Sequence, residues 1–185
     1  MDKIHKSLSD KQRGVQRGAL CALGLTLVNF WLGSTGRLFE IPSSATVDIS
    51  TRLLFALRYL SLLPFCLFAA IGGVGNHRYA SEKDIDAGLS THAPSHELKM
   101  KQAILQNTLE QIVSAFIAHL CLAAALPAWQ LGLIPALCCQ FILGRVCFWW
   151  GYERGAGGRA FGFGCTFCPT VLATLYCLYL NFSPF

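Results

Sequence analysis

Five long apolar runs constrain this 185-residue chain more than any other feature of its sequence. Each is about 20 residues long, which is the length an α-helix needs to cross the hydrocarbon core of a bilayer. Hydrophobic residues make up 54% of the chain and charged residues only 14%, whereas a soluble domain has about 25% charged residues. We therefore predict an all-α integral membrane protein and exclude a soluble enzyme or a disulfide-stapled secreted domain. The predicted spans are residues 19–38, 53–74, 104–126, 131–150 and 160–180.

The positions of Lys and Arg predict how these spans are oriented. If the N-terminus is cytoplasmic, the cytoplasmic segments carry eleven of these residues and the opposite segments carry only Arg37 and Arg52. Cytoplasmic segments of membrane proteins carry the excess of Lys and Arg. We predict a multi-pass protein with its N-terminus in the cytoplasm and its C-terminus on the opposite side. The first apolar run has no small-residue cleavage site at its end, so we expect it to remain as a membrane anchor.

The net charge of +5 does not indicate a nucleic-acid partner, because the basic residues flank the apolar runs and form no recognition motif. All nine cysteines lie inside the apolar runs, where cysteine packs as a small apolar residue. Cys165 and Cys168 have the spacing of half a redox or zinc motif, but the sequence offers no second pair or histidine nearby. We predict no metal site.

The runs divide the chain into three predicted segments. Residues 1–18 form a basic cytoplasmic tail, residues 19–52 an extra N-terminal transmembrane helix with an outer loop, and residues 53–185 a four-helix membrane domain. The very short turn at Pro127 makes the third and fourth spans antiparallel neighbours. A compact glycine-rich loop is expected over residues 151–159, before the last span.

Polar side chains occur in the third span at membrane depth. Asn107, Glu110, Gln111 and Ser114 have the spacing that places side chains on one face of a helix. A glutamate facing lipid is costly, so this face is expected to look into the bundle or at a neighbouring subunit. Two roles remain open for it: hydrogen bonding between helices, with Glu110 paired to an arginine, or a ligand site.

A second polar group follows near the end of the fourth span. Arg145 lies in the span, and Tyr152, Arg154 and Arg159 come shortly after it, on the side where the third span begins. Arginine binds carboxylates and phosphates through paired hydrogen bonds. The single acid, Glu110, favours a ligand that also carries an amine. The pattern predicts a small zwitterion with several carboxylates at the cytoplasmic rim.

These two segments resemble the MAPEG superfamily (membrane-associated proteins in eicosanoid and glutathione metabolism). Residues 106–110, Gln-Asn-Thr-Leu-Glu, are similar to the family's N-x-x-E signature. Leu143-Gly144-Arg145, Tyr152 and Arg159 are similar to its arginine–tyrosine segment and the arginine that follows. The resemblance covers about residues 55–180. It implies a MAPEG-like four-helix bundle of spans two to five, assembled as a homotrimer, with one extra N-terminal helix as in a five-span variant of the family.

The resemblance also implies roles for individual residues. Glutathione would be the co-substrate, bound between subunits at the cytoplasmic face, with its thiolate stabilised by Arg159 as the catalytic residue. Asn107 and Glu110 would hold its amine and carboxylate region, and a neighbouring cation can lower a thiol pKa from about 8.5 by a unit or more. The implied ligand contacts are Asn107, Glu110, Arg145, Tyr152, Arg154 and, as a second cation, Arg78.

Two hypotheses of function follow. The first is a membrane glutathione transferase or peroxidase that conjugates or reduces lipophilic electrophiles. The second is a non-catalytic scaffold or regulator of partner membrane proteins or lipids. It is favoured by the extra helix and by Ala103, Phe148 and Gln111, which stand where the family's glutathione-binding enzymes carry an arginine and two tyrosines. A small transporter is a weaker alternative, because the spans show no inverted repeat.

Overall fold

The structure is a computed structural model that describes residues 8–36, 39, 41, 48–87 and 93–183. The first part of the predicted tail and most of the predicted outer loop lie outside these residues. Within the described ranges, five helical segments are long and apolar enough to cross a membrane, which confirms the all-α multi-pass fold. The helices are α1 (Asp10–Ser34), α2 (Ile49–Leu60), α3 (Pro64–Ala80), α4 (His96–Ala125), α5 (Leu133–Tyr152) and α6 (Gly155–Phe182).

Side chains at the helix N-termini explain where three of the helices begin. The side chain of Ser9 accepts a hydrogen bond from the backbone of Gln12, whose own side chain bonds back to Ser9, so α1 starts before the first apolar run. Asp48 caps α2 and Ser95 caps α4 in the same way, by accepting from a backbone N–H of the first turn. Helix α4 therefore also begins before its apolar run, outside the predicted membrane segment.

The second predicted span consists of two helices. It is interrupted at residues 61–63, between α2 and α3, and Pro64 occupies the first position of α3. Proline has no backbone N–H, so it is tolerated at the start of a helix but breaks the hydrogen-bond ladder inside one. Together α2 and α3 still form one apolar segment of 32 residues.

The glycine-rich segment after α5 is mostly helical, which corrects the expectation of a loop over residues 151–159. Only Glu153 and Arg154 lie between α5 and α6. A side chain on Gly151 would place its Cβ 2.1 Å from the carbonyl oxygen of Gly158, and Gly155 has a φ angle of +78°. The glycines therefore allow a two-residue turn and direct backbone contact between the ends of two helices.

Helix α6 packs against α1, α4 and α5. Its contact with α1 runs in parallel: Gly14 lies opposite Gly157, and further along both helices Ala22 lies opposite Gly164. Helix α5 runs the other way, with its Gly144 beside Cys165 of α6. This alternation places the starts of α1, α4 and α6 and the ends of α3 and α5 at one end of the bundle, here named the Arg159 end.

A buried polar network holds α1 against the rest of the bundle. The side-chain amide of Asn29 donates to the carbonyl oxygen of Ala136 at 3.0 Å and to Gln140 Oε1 at 2.8 Å. Gln140 Nε2 in turn donates to Thr26 Oγ1 at 2.8 Å and to the carbonyl oxygen of Cys165 at 3.3 Å. Polar groups buried at this depth need such partners, so the extra helix is part of the packed bundle.

Candidate functional site

A cavity of about 520 Å³ lies at the Arg159 end, among α1, α4, α5 and α6. Its polar lining consists of Asn107, Tyr152 and Arg159, and the Arg159 guanidinium stacks on the ring of Tyr152, 4.5 Å from the ring centroid. Among the described residues that line it, none carries a carboxylate. The remaining lining residues are apolar or weakly polar, so Arg159 is the one charged side chain among the described residues that line this cavity. We name it the Arg159 cavity. Its larger apolar lining residues are Val15, Phe148, Phe163 and Phe167.

Arg145 lies beside this cavity but inside the protein core. Its side chain is completely buried, and it donates to Asn107 Oδ1 at 2.9 Å and to Thr166 Oγ1 at 2.8 Å. The guanidinium also lies over the ring of Phe148, 4.4 Å from the centroid. It forms no ion pair with any described carboxylate, and its Nε has no hydrogen-bond partner there. Because guanidinium groups stay charged at neutral pH, Arg145 adds positive charge behind Asn107.

Glu110 lies elsewhere, on the outer face of α4. It is exposed and accepts a hydrogen bond from Gln106 Nε2 at 2.9 Å. It borders a separate groove of about 300 Å³ between α4 and α6, where Ser114, Thr170 and Thr174 add hydroxyl groups. Within the described part of the chain Glu110 pairs with no arginine, so the structure does not show the ion pair that belonged to one of the two roles left open.

The other two predicted arginines are also outside the cavity. The exposed Arg154 lies over the ring of Trp150, 4.4 Å from the centroid. Arg78 is in the last turn of α3 and does not line the cavity. The structure thus brings together Asn107, Tyr152 and Arg159, with Arg145 directly behind them, and leaves Glu110, Arg154 and Arg78 apart.

The structure adds cavity residues that the sequence interpretation missed. Val15 and Ala19 of α1 form one wall. Helix α1 also carries small residues at every fourth position over this stretch: Gly14, Gly18 and Ala22. That spacing is typical of helices that approach another helix closely, so it could have indicated that α1 packs against the bundle.

A second polar cluster joins α3 to α4 at the same end. Asp84 is completely buried and accepts hydrogen bonds from the backbone N–H of Ser95 at 3.0 Å and from its hydroxyl. His77 Nε2 lies 2.9 Å from Asp84 Oδ2, and its Nδ1 lies 3.3 Å from Glu97. The hydrogen bonds from Ser95, followed by that from His77, lower the pKa of Asp84 to about 2. The Ser95 oxygen also accepts the backbone N–H of Leu98, and a carboxylate with so low a pKa is a weak base, so this cluster caps α4 and joins it to α3.

Glu97, which contacts His77 of this cluster, also lines a second cavity of about 610 Å³ at the rim of the Arg159 end. Glu97, Lys99 and Glu153 give it charges of both signs, and Ala103 lies in it. Tyr152 lines both this rim cavity and the Arg159 cavity, so the two cavities lie on either side of this residue.

A bundle of membrane-length helices with an arginine-lined cavity at one end defines a multi-pass integral membrane protein. The profile of the MAPEG family matches residues 56–179, and the chain belongs to the MAPEG family. The match confirms the resemblance seen in the sequence. It begins within α2, so α1 lies entirely before the matched segment.

Two curated relatives are proteins named Transmembrane protein 79. The protein from Bos taurus is 25% identical over 146 residues, and the one from Mus musculus is 24% identical over 146 residues. Each alignment covers 78% of this chain but 35% of the relative, so the chain spans about a third of their length. No solved structure matches the chain significantly.

Proposed function

We propose that this chain is a homotrimeric MAPEG membrane protein that binds glutathione at its cytoplasmic face and stabilises the thiolate with Arg159. The observation that carries the proposal is the position of Arg159, which lines a cavity together with Tyr152 and Asn107. An adjacent cation favours the thiolate over the thiol. Arg145, buried behind Asn107, adds to the positive potential there.

The chemistry that follows is thiol conjugation. The glutathione thiol loses its proton to water, and Arg159 stabilises the negative sulfur. The sulfur then uses an electron pair to form a bond to an electrophilic carbon of a lipophilic acceptor, and the leaving group departs with the electron pair of the broken bond. Arg159 is the catalytic residue in this step because it contacts the reacting atom.

The outer face of α4 supports the proposed subunit contact. Glu110 and Ser114 are exposed at the depth of an apolar span, and the groove they border continues onto α6 at Thr174. A carboxylate in contact with lipid is costly. Contact with a neighbouring subunit removes that cost, and it places Glu110 at a site between subunits where it is available to the amine of glutathione.

Two arginines provide a matched test. Arg159 and Arg154 both stack on an aromatic ring at nearly the same distance, but only Arg159 lines the cavity. We expect the detergent-purified trimer to bind glutathione saturably in calorimetry and to show thiolate ultraviolet absorbance. Arg159→Ala should lose the thiolate signal, and Arg154→Ala should keep it. Equal behaviour of the two variants would refute the proposed role of Arg159.

A non-catalytic scaffold or lipid-binding protein is the second candidate. Two observations support it. Arg145 donates a hydrogen bond to Asn107, so these two side chains satisfy each other instead of a ligand. Ala103 lines the rim cavity and offers no cation to a ligand. The same calorimetry separates the candidates. A folded trimer that binds no glutathione at millimolar concentration and gives no thiolate signal would favour the scaffold.

A further inference from the structure

A further cavity, of about 430 Å³, is lined by α1, α5 and α6 and shares no lining residue with the Arg159 cavity. None of its described lining residues is charged, and its two amides, Asn29 and Gln140, bond each other at 2.8 Å. The rest of the lining consists of apolar residues, glycine and cysteine. The interior of this space, here named the α1–α5 groove, therefore complements a hydrocarbon chain.

The groove lies where α1 leaves α5 and moves onto α6. At the end of the bundle far from Arg159, α1 touches α5 closely, and a Cβ on Gly33 would lie 3.0 Å from Cα of Leu133. Nearer the Arg159 end the close contact is with α6, where a Cβ on Gly18 would lie 2.8 Å from the backbone nitrogen of Phe161. An apolar chain between α1 and α5 supplies the dispersion contacts that these two helices do not make with each other there.

Two arginines lie where the groove approaches the Arg159 end. Arg17 comes just before the apolar run of α1 and two turns before Leu25, which lines the groove. Arg154 comes just after α5, two turns beyond the lining residue Cys147, and its guanidinium lies over the ring of Trp150, 4.4 Å from the centroid. Helical spacings of this kind place side chains on one side of a helix, so both arginines lie above the groove.

Both arginines are available to an anion. They are exposed, and neither forms an ion pair with a carboxylate in the described part of the chain. Arg13, one turn before Arg17, is by contrast paired with Asp10 at 2.8 Å. Glu153, the acid next to Arg154, lines the rim cavity instead. Since arginine binds phosphate through paired hydrogen bonds, a phosphate group complements the mouth of the groove.

The dimensions of the groove fit one acyl chain of a bilayer lipid. Arg17 is twelve residues before Asn29, the deepest lining residue of the groove on α1, or about 18 Å at the helical rise of 1.5 Å per residue. The hydrocarbon core is about 30 Å thick, so the chains of one leaflet extend over about 15 Å. A lipid whose phosphate lies at Arg17 therefore has an acyl chain of the length that the groove accommodates.

We propose that the α1–α5 groove binds an anionic phospholipid from the leaflet at the Arg159 end. Its phosphate pairs with Arg17 and Arg154, and one acyl chain lies along Leu25, Leu143 and Phe161. The lipid joins α1, which precedes the segment matched by the MAPEG profile, to α5 within that segment. Its binding requires no glutathione and does not rest on the proposed function.

Electron spin resonance of spin-labelled phosphatidylglycerol in phosphatidylcholine nanodiscs tests the head-group contact. Spin-labelled phosphatidylcholine, with the label on the same chain carbon, is the control without net charge. The protein should immobilise phosphatidylglycerol with a several-fold preference. The double variant Arg17→Gln with Arg154→Gln should reduce this preference to parity, whereas Arg13→Gln should keep it. Equal immobilisation of the two lipids by the wild type, or an equal loss in Arg13→Gln, would overturn the proposal.

Filling the groove tests the chain contact. Leu143 lines the groove and is exposed, so Leu143→Trp should reduce the immobilised fraction of phosphatidylglycerol several-fold without disturbing the core. Leu20→Trp, at an exposed position of α1 outside the groove, should leave the fraction unchanged. Cys147→Phe provides a second filling variant if Leu143→Trp does not fold. Glycerophosphoglycerol, the head group without chains, should not displace the lipid at equal concentration. Displacement, or equal effects of Leu20→Trp and the filling variants, would overturn the chain contact.

The lipid and glutathione results can be told apart. Arg159→Ala should lose the thiolate signal in detergent and keep the lipid preference in nanodiscs, and the double variant at Arg17 and Arg154 should do the reverse. If the wild type shows the thiolate signal but no lipid preference, the lipid proposal fails alone. If it shows the lipid preference but no thiolate signal, the proposed function fails alone. Loss of both signals in the folded double variant would refute the separation of the two sites.

Discussion

Replacing Gly162 by alanine tests whether the contact between α5 and α6 shapes the Arg159 cavity. A Cβ at this position would lie 2.2 Å from the backbone nitrogen of Phe148, 2.6 Å from its Cα and 2.7 Å from the carbonyl oxygen of Gly144. All three atoms belong to the backbone, so no side-chain rotation relieves the contact. An ordinary contact begins at about 3.4 Å, and the helices must therefore separate by about 1 Å.

The expected loss of stability is the difference between two effects. Overpacking of this kind costs typically about 1–3 kcal/mol, and a backbone contact belongs at the upper end of that range or beyond. Alanine gains about 1 kcal/mol over glycine in helix propensity. The net loss is about 2 kcal/mol, which corresponds to a Tm lower by about 4–8 °C for a chain of this size.

The matched control is Gly72→Ala. Nothing lies within 4 Å of the added Cβ at Gly72, and the residue is inside α3, so the control gains helix propensity without overpacking. Its Tm should be unchanged or slightly raised. Thermal unfolding in nanodiscs can be followed with a thiol-reactive dye, because Cys165 is buried at the contact between α5 and α6.

The same substitution should impair binding. Phe148 lines the cavity, so a shift of about 1 Å there moves α5 relative to Arg159, and misplacement of this size can cost about 100-fold in the function of a site. We expect Gly162→Ala to weaken binding of glutathione. A variant with the Tm and affinity of Gly72→Ala would show that the helix contact neither limits stability nor shapes the cavity.

Substitutions at three further positions probe the polar groups. Arg145→Ala removes the donor to Asn107 and leaves a void, so it should cost about 2–5 kcal/mol. Arg145→Met, which fills the space without a charge, should cost less, and equal Tm values would contradict this account. The hydrogen bonds that lower the pKa of Asp84 to about 2, from an ordinary value of 3.8, stabilise the folded state above about pH 4, and this contribution is lost as the pH falls towards 2. Wild type should therefore lose Tm over that interval, whereas Asp84→Asn should lose less; parallel Tm curves would refute the assignment. Gln140→Leu removes the two side-chain hydrogen bonds that join Gln140 to Asn29 and Thr26 of α1, and it should cost about 1–2 kcal/mol; faster hydrogen exchange confined to α1 would support this, and unchanged exchange would contradict it.

Several elements of the site were accessible from the sequence because they depend on spacing within one helix. The face of α4 that carries Glu110 and Ser114 follows from helical periodicity, and both residues border the same groove. The sequence also predicted that Tyr152 and Arg159 lie on the same side of the membrane, since both follow the fourth span, but the stacking of one on the other is seen only in the structure. The extent of the turn between α5 and α6 was overestimated, because glycines read as a flexible loop instead serve a close contact between two helices.

The sequence alone determined the number and order of the membrane spans, because the length and polarity of each apolar run decide whether a helix can lie in a bilayer. It also indicated the MAPEG family through short motifs near the ends of two spans. The tertiary structure alone decided that Arg145 is enclosed in the core and bonded to Asn107, while Arg159 lines a cavity with Ala19 of α1. These outcomes depend on which faces of distant helices meet, and that is set by small-residue contacts between segments more than 100 residues apart in the chain.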